Sequence, residues 1–142
     1  METNSLPFGQ NYSSSQPLYA ICTSQTRTNL INLDKKTFKA LSNSDNGEVS
    51  DDTVFYYSQK DNIISAEYNG GEIVKGNLIG KQLEDGRFDF VYHHINTDGE
   101  LRIGKCLSSA RLLENNKIKL LEEWQWLSDD FSCGTSELIE ID

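Results

Sequence analysis

The sequence predicts an all-β fold, a single up-and-down antiparallel β-barrel of about eight strands with an irregular N-terminal arm. Three observations carry this. Seven turn signals recur: Asn43–Gly47, Gln59–Asn62, Asn69–Gly71, Glu84–Gly86, Asn96–Gly99, Glu114–Asn116 and Asp129–Asp130. The stretches between them are strand-like and leave no room for a long helix. Finally, eight strands in a meander hide their edges by closing on themselves, and a barrel of that size can hold one small ligand.

A chain of 142 residues fits one domain. At this size roughly two-thirds of the unfolded surface is buried, enough for a core without staples. The chain divides near Asn29. Residues 1–30 form an irregular arm, rich in Ser, Thr, Asn and Gln, and carrying the only prolines, Pro7 and Pro17. Within it, Leu18–Ile21 could add a short strand or pack against the barrel mouth. The barrel takes residues 31–142.

The first strand is Lys36–Ser42, with Phe38 and Ala40 on one face. Thr53–Ser58 follows, dense in β-branched and aromatic residues. The third, Ile63–Tyr68, sets Ile64, Ala66 and Tyr68 against Ser65 and Glu67. Asn69-Gly70 then predicts a tight hairpin, because a type I′ turn needs two residues at positive φ. The fourth strand, Glu72–Gly80, carries Gly76 and Gly80, which mark bends or a close backbone approach.

In the fifth strand, Arg87–Ile95, alternation puts Phe88, Phe90, Tyr92 and His94 together. The sixth, from Glu100 to about Leu107, places Gly104, Cys106 and Ser108 on the face of Arg102. The seventh, Lys117–Leu127, shows Ile118, Leu120, Glu122, Trp124 and Trp126 on one face. A helix is the alternative there, since Glu and Leu are good helix formers; the Trp-Gln-Trp alternation favours a strand. The last strand, Gly134–Ile141, has Ile139 and Ile141 on one face, and its acids would blunt a remaining edge.

If the aromatic faces turn inward, Phe88, Phe90, Tyr92, Trp124 and Trp126 line the barrel, with the small face of the sixth strand between them. Large residues beside small ones either interdigitate or leave a cavity. Three polar residues accompany them: His94, Arg102 and Glu122. They are either the polar anchors of a pocket or groups at the barrel ends in contact with water. A buried carboxylate needs a partner, and Arg102 is the simplest one for Glu122. The candidate ligand-binding set is therefore Phe90, Tyr92, His94, Arg102, Glu122, Trp124 and Trp126.

The balance of 13 basic against 22 acidic residues gives a net charge of -9, and Lys and Arg do not cluster. This argues against nucleic acid and anionic membranes as partners. A small-molecule ligand and a homodimer are the partners the reading allows. The three cysteines, Cys22, Cys106 and Cys133, show no C-x-x-C spacing. A Cys106–Cys133 bridge is conceivable if the sixth and eighth strands come near. The start lacks a basic, then apolar, secretory pattern, and no apolar run reaches the ~20 residues a membrane helix needs, so a cytoplasmic location is expected. No nucleophile elbow or phosphate loop occurs, and His93 and His94 point to opposite faces of a strand. No catalytic residue, metal or cofactor is assigned.

Four stretches carry a resemblance: Phe38–Ser50, Tyr68–Gly76, Glu122–Trp126 and Ser132–Ser136. Over about residues 31–141 the chain resembles a family of small bacterial proteins often labelled N-acetylglutamate synthase. That label implies an acyltransferase. Coenzyme A acetyltransferases of the common type carry an Arg/Gln-x-x-Gly-x-Gly/Ala run at a strand-to-helix turn, which this chain lacks. The barrel itself is similar to calycins, the lipocalin, fatty-acid-binding and avidin-like group. The function expected is binding of an apolar or amphipathic small molecule. The alternatives are the acyltransferase that the label implies and a packed barrel acting as an interaction module.

Overall fold

The structure, a computed structural model, describes residues 30–142; the arm over residues 1–29, with Leu18–Ile21 and Cys22, lies outside the described residues. The strands are β1 (Thr37–Asn43), β2 (Val54–Lys60), β3 (Ile63–Gly70), β4 (Ile73–Gln82), β5 (Phe88–Asn96), β6 (Leu101–Leu112), β7 (Ile118–Trp126) and β8 (Cys133–Ile141). Each pairs antiparallel with the next, and β8 returns to β1 to close the barrel. The closing seam runs from Thr37↔Ile141 to Asn43↔Ser136, with a bulge between Ala40 and Ser42. No edge is left open, which is what a meander of this length requires. β7 is a strand and not the alternative helix.

Three hairpins share one turn chemistry. In each, a tight turn is followed by a left-handed residue, Gly86 (φ 94), Gly99 (φ 78) or Asn116 (φ 67). The backbone bonds repeat as well: Gly86 N–H donates to Leu83 O, Gly99 to Asn96 O and Asn116 to Leu113 O. This is a type I turn with a bulge, the common three-residue hairpin. The β3–β4 turn differs from the Asn69-Gly70 expectation. Gly70 pairs with Ile73, so Gly71 and Glu72 make the turn. The glycine pair carries the positive φ values, 114 at Gly70 and 63 at Gly71, and Asn69 stays in the strand opposite Val54.

Alternation sends Phe38, Tyr57, Ile64, Tyr68, Phe88, Phe90, Leu120 and Leu138 into the core, all at most 5% exposed. In β8 the core residue is Leu138, and the Ile139–Ile141 face is half-buried on the other side. The inward glycines are covered by aromatics. Gly76 lies opposite Tyr68, Gly80 opposite Phe90, Gly104 opposite Tyr92 and Gly134 opposite Trp124. At Gly76, Gly104 and Gly134 the aromatic ring lies where a glycine Cβ would be; at Gly80 the Asp89 carbonyl and the Phe90 Cα and Cβ lie there. Large and small residues thus interdigitate across neighbouring strands, and the absent side chains let four big rings share one barrel. Gly104→Ala is expected to lower stability by about 1 to 3 kcal/mol through overpacking, because Tyr92 is backed by Trp126. Urea unfolding would measure this; an unchanged midpoint would refute the ring-over-glycine account.

One end of the barrel is sealed by the lead-in to β1. Leu33, 1% exposed, plugs it, and its N–H donates to Gln59 Oε1 at 2.9 Å. Gln59 Nε2 donates to Gln82 Oε1, and Gln82 Nε2 to Ile31 O, both at 2.9 Å. The other end is the mouth. It lies where β1 ends, β2 begins and β5 meets β6.

Candidate functional site

The longest connection, residues 44–53 between β1 and β2, folds over the mouth. Asn43 ties its base, donating from Nδ2 to Val49 O at 2.9 Å. Both tryptophans hold the same region. Trp124 Nε1 donates to Asn43 Oδ1 at 3.2 Å, and Trp126 Nε1 donates to Asn46 O at 3.0 Å. These bonds satisfy the two indole N–H groups and leave the rings to the interior.

Glu48 hangs from this connection into a cage of donors. His94 Nε2 lies 2.8 Å from Glu48 Oε1. Asn96 Nδ2 and Arg102 Nη1 donate to Oε2 at 3.0 and 2.9 Å. The cage is supported from behind. The Arg102 guanidinium lies over the Trp126 ring, 4.3 Å from its centroid. Asn96 Oδ1 accepts from the backbone N–H groups of Asp98 and Glu100. Asp129 lies 3.8 Å from the other arm of Arg102, but its exposure makes that pair weak.

The protonation of His94 follows from its neighbours. Burial first, with the Arg102 charge and His93 beside it, pushes its pKa below the usual value against the raising pull of Glu48. The ring is therefore neutral at pH 7. The Tyr68 hydroxyl is 2.9 Å from Nδ1, and burial holds that phenol far above its ordinary pKa. A phenol that keeps its proton donates it to Nδ1, so Nε2 carries the imidazole proton and donates to Glu48.

Deeper in the barrel sits Glu122. The register places it between Ser108 on β6 and Ser136 on β8. Ser136 Oγ donates to Glu122 Oε1 at 3.0 Å. Burial raises the carboxyl pKa to about 7, against the lowering pull of the Ser136 hydrogen bond. Glu122 Oε2, Ser108 Oγ and the Tyr57 hydroxyl are buried without hydrogen-bond partners. So is Arg102 Nε at the mouth.

Between Glu48 above and Glu122 below lies a cavity of about 50 Å³, walled by Phe55, Leu78, Phe90, Tyr92, Trp124 and Trp126. On that scale one water needs roughly 10–15 Å³, so the space admits a few waters or one end of a ligand. Of the seven residues singled out in the sequence, Phe90, Tyr92, His94, Glu122, Trp124 and Trp126 line it. Arg102 stands at the mouth beside Trp126.

The expected Glu122–Arg102 pair does not form. Arg102 is in register with His94, while Glu122 is in register with Ser108, further down the barrel. The acid that meets Arg102 is Glu48. Sequence reasoning missed Glu48 because it sits in a connection without periodicity. The available signal was the length of that connection, since long loops at barrel mouths often carry function. The conceivable Cys106–Cys133 bridge is also absent. Cys106 is buried, Cys133 is exposed, and both are free, with β7 between their strands. Among the described residues no group of three His, Cys, Asp or Glu side chains is placed to hold a metal ion.

A family described as "Avidin-like protein" matches residues 31–141. No curated protein and no solved structure matches the chain.

Proposed function

We propose, from the premise that the chain belongs to the avidin-like family, that it is a small-molecule-binding barrel whose ligand enters at the mouth and rests between Glu48 and Glu122. The observation that carries this is the pairing of an aromatic cavity with unpartnered polar atoms. Glu122 Oε2 and Ser108 Oγ are buried without hydrogen-bond partners. Native interiors rarely leave such groups unpaired, and a ligand is one way to satisfy them. The ligand's apolar body would lie against Trp124, Trp126, Tyr92 and Phe90, and an N–H or O–H group would donate to Glu122.

Both tryptophans line the cavity, so their fluorescence reports occupancy. Hexanol, hexanoate, hexylamine and biotin form the first titration set. A saturable change with at least one of them is expected, weakened by Ala66→Trp, which places a large ring on the interior face of β3. No response from any of them, with the protein folded, would refute the reading. The cavity of about 50 Å³ takes one end of such a ligand, and the rest extends toward the mouth.

A second reading, an interaction module, is favoured by one observation on the outer wall. Ile79 faces Val91 across β4–β5, at 59% and 48% exposure, and Ile95 faces Leu101 across β5–β6, also exposed. Such a stripe suits a second copy of the chain. Light scattering over a concentration series tests it, with Val91→Lys expected to hold the chain monomeric. The acyl-transfer reading has no comparable observation in its favour; turnover of acetyl-coenzyme A with glutamate is its direct assay.

A further inference from the structure

We infer that the mouth of the barrel is a carboxylate-binding site which the chain fills with its own Glu48, and that the ligand is an amphipathic monocarboxylate whose carboxylate takes Glu48's place. This rests on the reading of the barrel as a ligand-binding fold and names the class of ligand.

The donors and the acceptor stand on different kinds of structure. His94, Asn96 and Arg102 belong to β5 and β6, in the barrel wall. Each is held from behind, by Tyr68, by its own turn and by Trp126 respectively. Glu48 reaches them from the longest connection in the barrel, far away in sequence. A rigid set of donors closed by an acid on a loop has the form of a receptor holding an exchangeable guest.

The cage has more to offer than Glu48 uses. Arg102 Nε is buried and has no partner. A guanidinium presents its donors in a fork suited to a carboxylate, and Glu48 engages only Nη1 of it. The cavity begins at Glu48 and His94 and runs down to the aromatic walls. A carboxylate seated where Glu48 now sits would therefore place its carbon chain among Trp124, Trp126 and Tyr92.

Exchange also preserves the charge balance. One carboxylate replaces another, so Arg102 is never left buried without a counter-charge, and the released Glu48 goes to water. The charge of the cage limits the guest to a monoanion. His94 is neutral, Arg102 is the one cation in the cage, and Glu100 and Asp129 flank it. A phosphate dianion would meet one positive charge and two nearby acids.

The test uses the full chain carrying Glu48→Ala, read by tryptophan fluorescence at constant ionic strength. Acetate probes the cage alone, and acetamide is its neutral counterpart. The variant is expected to bind acetate saturably, at least about tenfold more tightly than wild type, because the internal competitor is gone. Acetamide should give no such gain, and Arg102→Ala in the same background should abolish the response. Equal responses to acetate and acetamide, or no gain over wild type, would overturn the inference. Should Glu48→Ala not fold, Glu48→Gln keeps the shape of the side chain without its charge and should still bind acetate more tightly than wild type. Chain length separates the two readings. Hexanoate binding better than acetate supports both. Acetate binding with no gain for hexanoate and no response to hexanol overturns the barrel-ligand reading, and with it the amphipathic ligand inferred here. Hexanol binding without any acetate response overturns the carboxylate site and leaves the barrel reading in place.

Discussion

Glu122→Gln is expected to stabilise the protein at pH 8 by about 3 kcal/mol, with little change at pH 4.5. In the folded chain burial pushes the carboxyl up to about 7, against an ordinary value of 4.5. Between those two pH values the folded state keeps the proton and the unfolded chain has lost it. Raising the pH through that window therefore favours unfolding, and the contribution of this group falls until the native carboxyl is ionised. A rise of that size, at about 1.36 kcal/mol for each pH unit, is worth roughly 3 kcal/mol. Glutamine removes the cost because it is never ionised. Its amide also supplies donors beside Ser108 Oγ and the Tyr57 hydroxyl, both now unpaired. His94 works in the opposite sense, since its lowered pKa makes stability fall as pH drops below the ordinary histidine range. That effect is common to wild type and variant, so the difference between their urea unfolding energies at pH 4.5 and 8 isolates Glu122. A difference independent of pH would refute the buried, proton-holding carboxyl.

Arg102→Ala is expected to cost about 2 to 3 kcal/mol, less than breaking a fully buried ion pair, because both side chains keep some exposure to water. The substitution removes the bond to Glu48 Oε2, the counter-charge of a carboxylate shielded from water, and the ring contact with Trp126. Release of the connection over the mouth limits the loss, because a freed Glu48 can reach water. Arg102→Lys keeps the charge but not the planar stack or the fork, and should fall between the two. A double-mutant cycle with Glu48→Ala should return a coupling of about 1 to 2 kcal/mol. A coupling near zero would mean that the ion pair contributes nothing beyond its parts.

Much of the barrel was legible because a strand writes its orientation into alternate residues. Phe88, Phe90, Tyr92 and His94 point inward, as do Ile118 to Trp126 on alternate positions, and each was placed by that two-residue period alone. The turns at Gly86, Gly99 and Asn116 were legible for a similar reason, since positive φ selects glycine and asparagine. The β3–β4 turn was misread by its dipeptide. Asn69-Gly70 has the chemistry of a type I′ turn, but the pairing of β2 with β3 continues through Asn69 and moves the turn to Gly71 and Glu72. A long-range ladder outweighed a local preference.

The polar half of the site shows the same division. That His94, Arg102 and Glu122 share their faces with the aromatic and small residues was visible in sequence; that those faces turn inward, and which groups they meet, was not. Their partners Tyr68, Glu48 and Ser136 are separated from them by 26, 54 and 14 residues. The sequence by itself determined the strand class, which residues share a face and most of the turn positions, because each depends on a few neighbouring residues and their backbone preferences. Tertiary structure alone decided that Leu33 seals one end, that Glu48 closes the other, and that Glu122 keeps no basic partner. Those outcomes depend on the relative shift of strands around a closed ring and on where an aperiodic connection crosses it, and neither leaves a periodic trace in the chain.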